Sequence, residues 1–131
     1  MIARFRDLCL DANDPTLVGA FWAAVLGREA EDAGQGDGTS RDVLLRAVAD
    51  GGPDLYVNGV PEPKTAKDRI HLDVTLTAGR EVTDLLALGA AVLSEPHEDP
   101  WWVLADPEGN EFCAFAPDSD ATNDADAEVA V

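Results

Sequence analysis

Basic residues are scarce in this chain: nine Lys plus Arg stand against 26 Asp plus Glu, for a formal charge of −17. A polyanion of this kind repels phosphate backbones and acidic headgroups, which excludes nucleic acid and anionic membrane as expected partners. Asp118, Asp120, Asp124, Asp126 and Glu128 lie in the segment after Pro117, so the body keeps a charge of −12. Such a solvated acidic surface serves solubility. No run of 18 apolar residues is present, and Met1-Ile2-Ala3-Arg4-Phe5-Arg6 opens no signal-peptide hydrophobic segment. A cytoplasmic protein with no membrane association is the expectation. Cysteine is reduced to Cys9 and Cys113. Their separation matches no zinc-finger spacing, and in a reducing compartment both stay thiols. There is no glycine-rich phosphate loop, serine nucleophile elbow or CxxC pair.

The 46% hydrophobic content is enough for one domain, or for two small modules sharing a core. From Arg4 to Ala12 the chain alternates as a strand, with Leu8 and Leu10 on one face and Asp7, Cys9 and Asp11 on the other. Asp14 and Pro15 then open a helix whose stripe is Leu17, Val18, Phe21, Trp22 and Val25, and Gly27 stops it. Three strand candidates follow, Arg28 to Ala33, Asp42 to Ala49 and Asp54 to Val60, separated by glycine-rich breaks. The order is βαβββ.

A stretch with two prolines and no apolar periodicity, residues 60–68, reads as a linker, after which the pattern restarts. A strand from Arg69 to Thr77, a helix carrying Val82, Leu85, Leu86 and Leu88 up to Gly89, and strands at Ala91 to Glu95, Trp101 to Ala105 and Glu111 to Ala116 repeat it. Residues 1–59 and 69–116 are thus two copies of one module, too long a period for a solenoid array. Residues 117–131, acidic and poor in aromatics, read as a disordered tail.

Asp106-Pro107-Glu108-Gly109-Asn110 has the chemistry of a reversal. Pro107 presets φ, Gly109 and Asn110 tolerate left-handed conformations, and apolar runs lie on both sides, so a β-hairpin with a longer loop is expected. This hairpin, with the Asp-Pro-Thr-Leu helix start, Phe21-Trp22, Leu26-Gly27 and the passage from Val60 to Thr65 into Arg69-Ile70-His71-Leu72-Asp73, resembles the glyoxalase-like and bleomycin-resistance branch of the vicinal oxygen chelate superfamily. The resemblance runs from about Phe5 to Phe115. It implies an α+β fold of two tandem βαβββ modules whose curved mixed sheets enclose a pocket, commonly with a divalent metal. It also implies a homodimer.

In the second module Arg69, His71 and Asp73 share one strand face, and same-face neighbours stand roughly 6.6 Å apart, close enough for His71 and Asp73 to bracket one bound group. His71 is then a candidate general acid or base, with Asp73 orienting it; a purely structural histidine is the other reading. The resemblance places metal ligands on the first strand of each module and on its last strand. Those positions hold Asp7, His71 and Cys113 here, with Tyr56 or Asn58 near the fourth. Only His71 belongs to the common ligand set, so no metal is favoured, and Zn²⁺ on Asp7, His71 and Cys113 is the alternative. Trp101 and Trp102 are adjacent and must face opposite ways on a strand, one of them pocket wall or core. Asp7, Tyr56, Asn58, Arg69, Trp101, Trp102 and Cys113 are therefore the expected pocket residues. His97, in an acidic loop, is expected to be surface. The leading expectation is a protein that binds or sequesters a small organic ligand. The alternative is a lyase or isomerase using His71 and Asp73, with or without zinc.

Overall fold

The computed structural model describes residues 1–35, 41–49 and 51–118. Most of the segment expected to be disordered, from residue 119 on, lies outside the described residues. The chain divides into two compact units, one up to Thr65 and the other from Ala66.

The first unit runs β1 (Leu8–Ala12), α1 (Pro15–Leu26), β2 (Ala30–Gly34), β3 (Asp42–Leu45) and β4 (Leu55–Gly59). Its sheet has the order β1-β4-β3-β2, with β1 and β4 parallel and the remaining pairs antiparallel. Asp14 starts α1 as its sequence promises: its Oδ1 accepts from the Leu17 N–H at 3.1 Å, Pro15 occupies the first turn, and Gly27 ends the helix at φ 67°. The helix packs across the sheet, above all over β3. Contact is so close at Gly19 that a Cβ there would lie 2.9 Å from Val43 Cγ1. Val18, Phe21, Trp22, Val43, Leu45, Leu55 and Val57 are buried in this unit, with the Phe21 and Trp22 rings edge-on at 5.2 Å.

The second unit repeats the order: β5 (Leu72–Thr75), α2 (Val82–Leu88), β6 (Ala91–Ser94), β7 (Trp101–Ala105) and β8 (Glu111–Phe115). Its sheet is β5-β8-β7-β6, again with one parallel pair, β5 with β8. The chain is α+β, built of two βαβββ modules, as the alternating and helical periodicities imply. Between β7 and β8 the expected hairpin forms, closed by Asp106 N–H to Asn110 O and Gly109 N–H to Asp106 O, both 2.9 Å. Only Gly109 takes the left-handed backbone in this turn, at φ 93°. Asn110 instead donates through its backbone and its Nδ2 to the buried Asp106 carboxylate.

Several strands are shorter than alternation alone implies. β1 begins at Leu8 because its ladder partner β4 begins at Leu55, and β5 begins at Leu72 opposite Phe112. Alternation continues upstream in both cases, but a ladder ends where its partner ends. Arg28, expected to open a strand, is buried, and its Nη1 donates to Pro53 O at 2.6 Å.

Candidate functional site

Register decides which side chains share a face, because paired residues in a ladder point the same way and neighbours along a strand point oppositely. In the second sheet Asp73 pairs with Cys113, Cys113 with Val103, and Phe115 with Trp101. One face therefore carries Asp73, Cys113, Val103, Phe115 and Trp101. The other carries Leu72, Val74, Phe112, Ala114, Leu104 and Trp102, and Phe112, Ala114 and Leu104 are fully buried there. Trp101 is thus the tryptophan beside the candidate chemistry, its ring 5.2 Å from that of Phe115. Trp102 lies on the opposite, core-facing side.

His71 sits one residue before β5 and reaches back to its face: Nδ1 lies 3.1 Å from Asp73 Oδ1, with the two side chains 40% and 55% exposed. A nitrogen of His71, a carboxylate oxygen of Asp73 and the Cys113 sulfur all fall within 4.8 Å of one another. Burial, then the charge of Asp73 and a hydrogen bond to it, push the half-buried Cys113 thiol above its ordinary value, against a smaller opposing pull from Lys67. Arg69 lies upstream of the strand and is exposed.

The first sheet has a counterpart to this arrangement. Cys9 pairs with Tyr56 and Asp11 with Asn58, so Asp7, Cys9, Tyr56 and Asn58 lie on the face turned away from the buried Leu55 and Val57. The Cys9 sulfur donates to Asp7 Oδ1 at 3.5 Å. Its thiol is also pushed up, by burial first and then by the Asp7 hydrogen bond and the Asp7 and Asp11 charges, while Asn58 pulls it down. Cysteine stands where the second module has Asp73, and aspartate where it has His71. Only the second module offers an imidazole.

One feature escaped the sequence. The loop after β6, with Ser94, Glu95, His97, Glu98 and Asp99, closes over Trp101 and Val103 to form a recess of ≈ 170 Å³. Val103 is the register partner of Cys113, so the recess lies one strand from the His71 group. The available signal was three acids and a histidine set directly before two tryptophans. Without periodicity, such a loop shows no fold.

The donor set of this group suits a metal ion in kind. Imidazole, carboxylate and thiol are zinc ligands, and three protein ligands with a fourth position open is the pattern of catalytic zinc. Held by His71, Asp73 and Cys113, zinc would supply a Lewis acid and would deprotonate the thiol that burial and the Asp73 charge otherwise keep protonated.

A family model described as a glyoxalase-like domain matches residues 7–115. Among solved structures, the fosfomycin resistance protein FosX from Mesorhizobium loti is similar at TM-score 0.66 and 12% identity, over 88% of this chain and 92% of that one. FosX from Listeria monocytogenes, in complex with Mn(II) and 1S,2S-dihydroxypropylphosphonic acid, gives 0.66 and 14%, over 94% and 97%. A glyoxalase/bleomycin resistance protein/dioxygenase family enzyme from Burkholderia phytofirmans gives 0.64 and 20%, over 87% and 98%. No curated protein matches the sequence. At these identities the solved structures speak for the fold, and the family model, which spans both modules, speaks for descent: the chain belongs to the glyoxalase-like domain family of the vicinal oxygen chelate superfamily.

Proposed function

We propose that this protein binds a small organic molecule on the open face of its second sheet and moves a proton on it through His71, as a lyase or isomerase does. The observation that carries this reading is the 3.1 Å contact between His71 Nδ1 and Asp73 Oδ1. An Nδ1 facing a carboxylate at this distance would hold the neutral imidazole as the Nδ1–H tautomer, leaving the Nε2 lone pair to take a proton. Both side chains are open to solvent, so a ligand can reach them. Trp101 and Val103 give an apolar floor one strand away. A recess of ≈ 170 Å³ is below the about 300–1,000 Å³ common for drug-sized ligands, which favours a molecule of a few heavy atoms.

Residue types alone put simple binding or sequestration first; the His71–Asp73 contact favours proton transfer over it. Solvent-deuterium incorporation into the α-C–H of a panel of small carbonyl compounds, followed by mass spectrometry, separates the two. Proton transfer predicts exchange that falls about 10²–10⁴-fold in His71→Ala, the usual worth of a positioned acid or base. If the wild-type protein quenches its tryptophan fluorescence on binding a compound yet exchanges no deuterium, sequestration is the correct reading. The homodimer belongs to the same proposal, and light scattering that returns a single-chain mass removes it.

A further inference from the structure

Removing a proton from the carbon beside a carbonyl sends negative charge to the carbonyl oxygen, and a site that does this needs a cation or fixed donors where the charge appears. In a chain of charge −17, with Asp73 beside the base, that charge is otherwise repelled. We propose that Lys67 meets it: in the proton-transfer reading, on which this proposal rests, the Lys67 ammonium receives the oxygen of a small carbonyl compound whose α-proton His71 removes.

A specific contact brings Lys67 to that place. Glu111 opens β8 on the same face as Cys113 and Phe115. In the parallel β5–β8 ladder, the step before the Leu72–Phe112 pair sets His71 level with Glu111. Glu111 Oε1 accepts from the Asp68 N–H at 3.0 Å, in a part-buried position. The end of the linker is thereby clipped to the end of the sheet where His71 lies, and Lys67 is the residue next to the clip. Lys67 is exposed, and its Nζ turns back to Asp68 O at 3.5 Å, which leaves further N–H donors for a ligand oxygen. Its charge is felt at the group: the Cys113 thiol, raised by burial and by Asp73, is drawn back down by Lys67. His71, Asp73, Cys113 and Lys67 thus border one patch of the open face, all within the second unit.

The step balances with no further reagent. His71 Nε2 takes the α-proton, the C–H electron pair becomes the carbon–carbon double bond, and the carbonyl π pair moves to the oxygen beside Lys67. Delivery of a solvent deuteron from His71 to carbon reverses it. The oxygen is neutral when the compound binds and charged only after proton removal, so Lys67 acts on the barrier more than on ground-state affinity.

The test follows deuterium exchange by the full chain, in chelator, on the same panel of carbonyl compounds. Lys67→Met should lower kcat at least about tenfold while KM changes less than about twofold. The loss should stay below the about 10²–10³-fold that follows removal of an oxyanion donor from a water-excluded site, because Lys67 is exposed and screened. Lys67→Arg keeps the charge and should exchange faster than Lys67→Met. Glu111→Gln keeps an acceptor for the Asp68 N–H and should resemble wild type, whereas Glu111→Ala should fall toward Lys67→Met. Arg80→Gln removes the same charge from a residue paired with Asp84 and should change nothing. Circular dichroism checks the fold of each variant. Oxalate, a planar dianion shaped like an enolate beside a carboxylate, adds a readout that needs no turnover. Its Kd, taken from the amide NMR shifts of His71 and Asp73, should weaken at least about fivefold in Lys67→Met. The role of Lys67 is overturned if Lys67→Met exchanges as fast as wild type, if its loss lies in KM, or if Arg80→Gln slows exchange equally. Exchange that needs His71 but not Lys67 leaves the proton-transfer reading standing and removes this one. If the wild-type protein exchanges nothing, the proton-transfer reading falls and oxalate decides: Lys67-dependent binding upholds Lys67 as an anion-holding residue, and indifference removes it.

Discussion

Asp106 shows how one side chain fixes a segment. Its carboxylate takes hydrogen bonds from Glu108 N at 2.9 Å, Asn110 N at 3.0 Å and Asn110 Nδ2 at 2.9 Å, in a residue only 3% exposed. Removing the acceptor strands those donors, so Asp106→Ala should destabilise the fold by about 1–3 kcal/mol in urea denaturation. An unchanged midpoint would show that the turn stands without it. Cysteine offers a second check at this scale. Burial and the Asp7 contact hold the Cys9 thiol above its ordinary pKa, so fewer thiolates exist at a given pH. Alkylation of Cys9 near neutral pH should therefore be slower than that of a small free thiol, should speed up as pH rises, and should be faster in Asp7→Asn. Mass mapping of the modified peptide separates Cys9 from Cys113. The residue types of the site were legible in the sequence, but which of them meet was not. His71 and Asp73 are two apart and could be paired by alternation. Cys113 joins them only through the β5–β8 ladder, which brings together residues far apart in the chain.

At the scale of elements, the sequence locates the eight strands and two helices of the described residues. It does so through a buried face with its own period in α1, β4 and β8 and through flanking turn residues elsewhere, since β2 and β6 bury no residue. Register left no such trace. That is why Trp101 and Trp102 could be separated into two faces but not assigned to them until the β7–β8 pairing was known. The recess before Trp101 went unseen for a related reason, since a loop of Glu95, His97, Glu98 and Asp99 has no period to read. The close crossing of α1 over β3 is equally silent in sequence, apart from the glycine that permits it. Gly19→Ala would push a methyl to 2.9 Å from Val43 Cγ1, and overpacking of that kind costs about 1–3 kcal/mol. A Gly19→Ala protein as stable as wild type, or more so through its helix propensity, would mean that α1 can lift from the sheet at little cost.

For the molecule as a whole, two observations govern behaviour: a duplicated module and a large negative charge. Duplication explains why the sheets share one strand order while their open faces diverge, with Asp7, Cys9 and Tyr56 in the first standing where His71, Asp73 and Cys113 stand in the second. Both histidines of the chain, His71 and His97, fall in the second copy. A charge of −17 opposes compaction by self-repulsion, which salt screens. The melting temperature should consequently rise between low ionic strength and about 0.15 M, where the Debye length falls to about 8 Å. A flat or falling profile would show that the acids are spaced too widely to matter. The central claim, however, rests on one imidazole aimed by one carboxylate, and ¹⁵N NMR of the metal-free protein reads it directly, since His97 is the only other histidine to assign. When neutral, His71 is expected to be in the Nδ1–H tautomer with Nε2 unprotonated, and Asp73→Asn should shift that balance. An Nε2–H tautomer in the wild-type protein, or one indifferent to Asp73, would contradict the account.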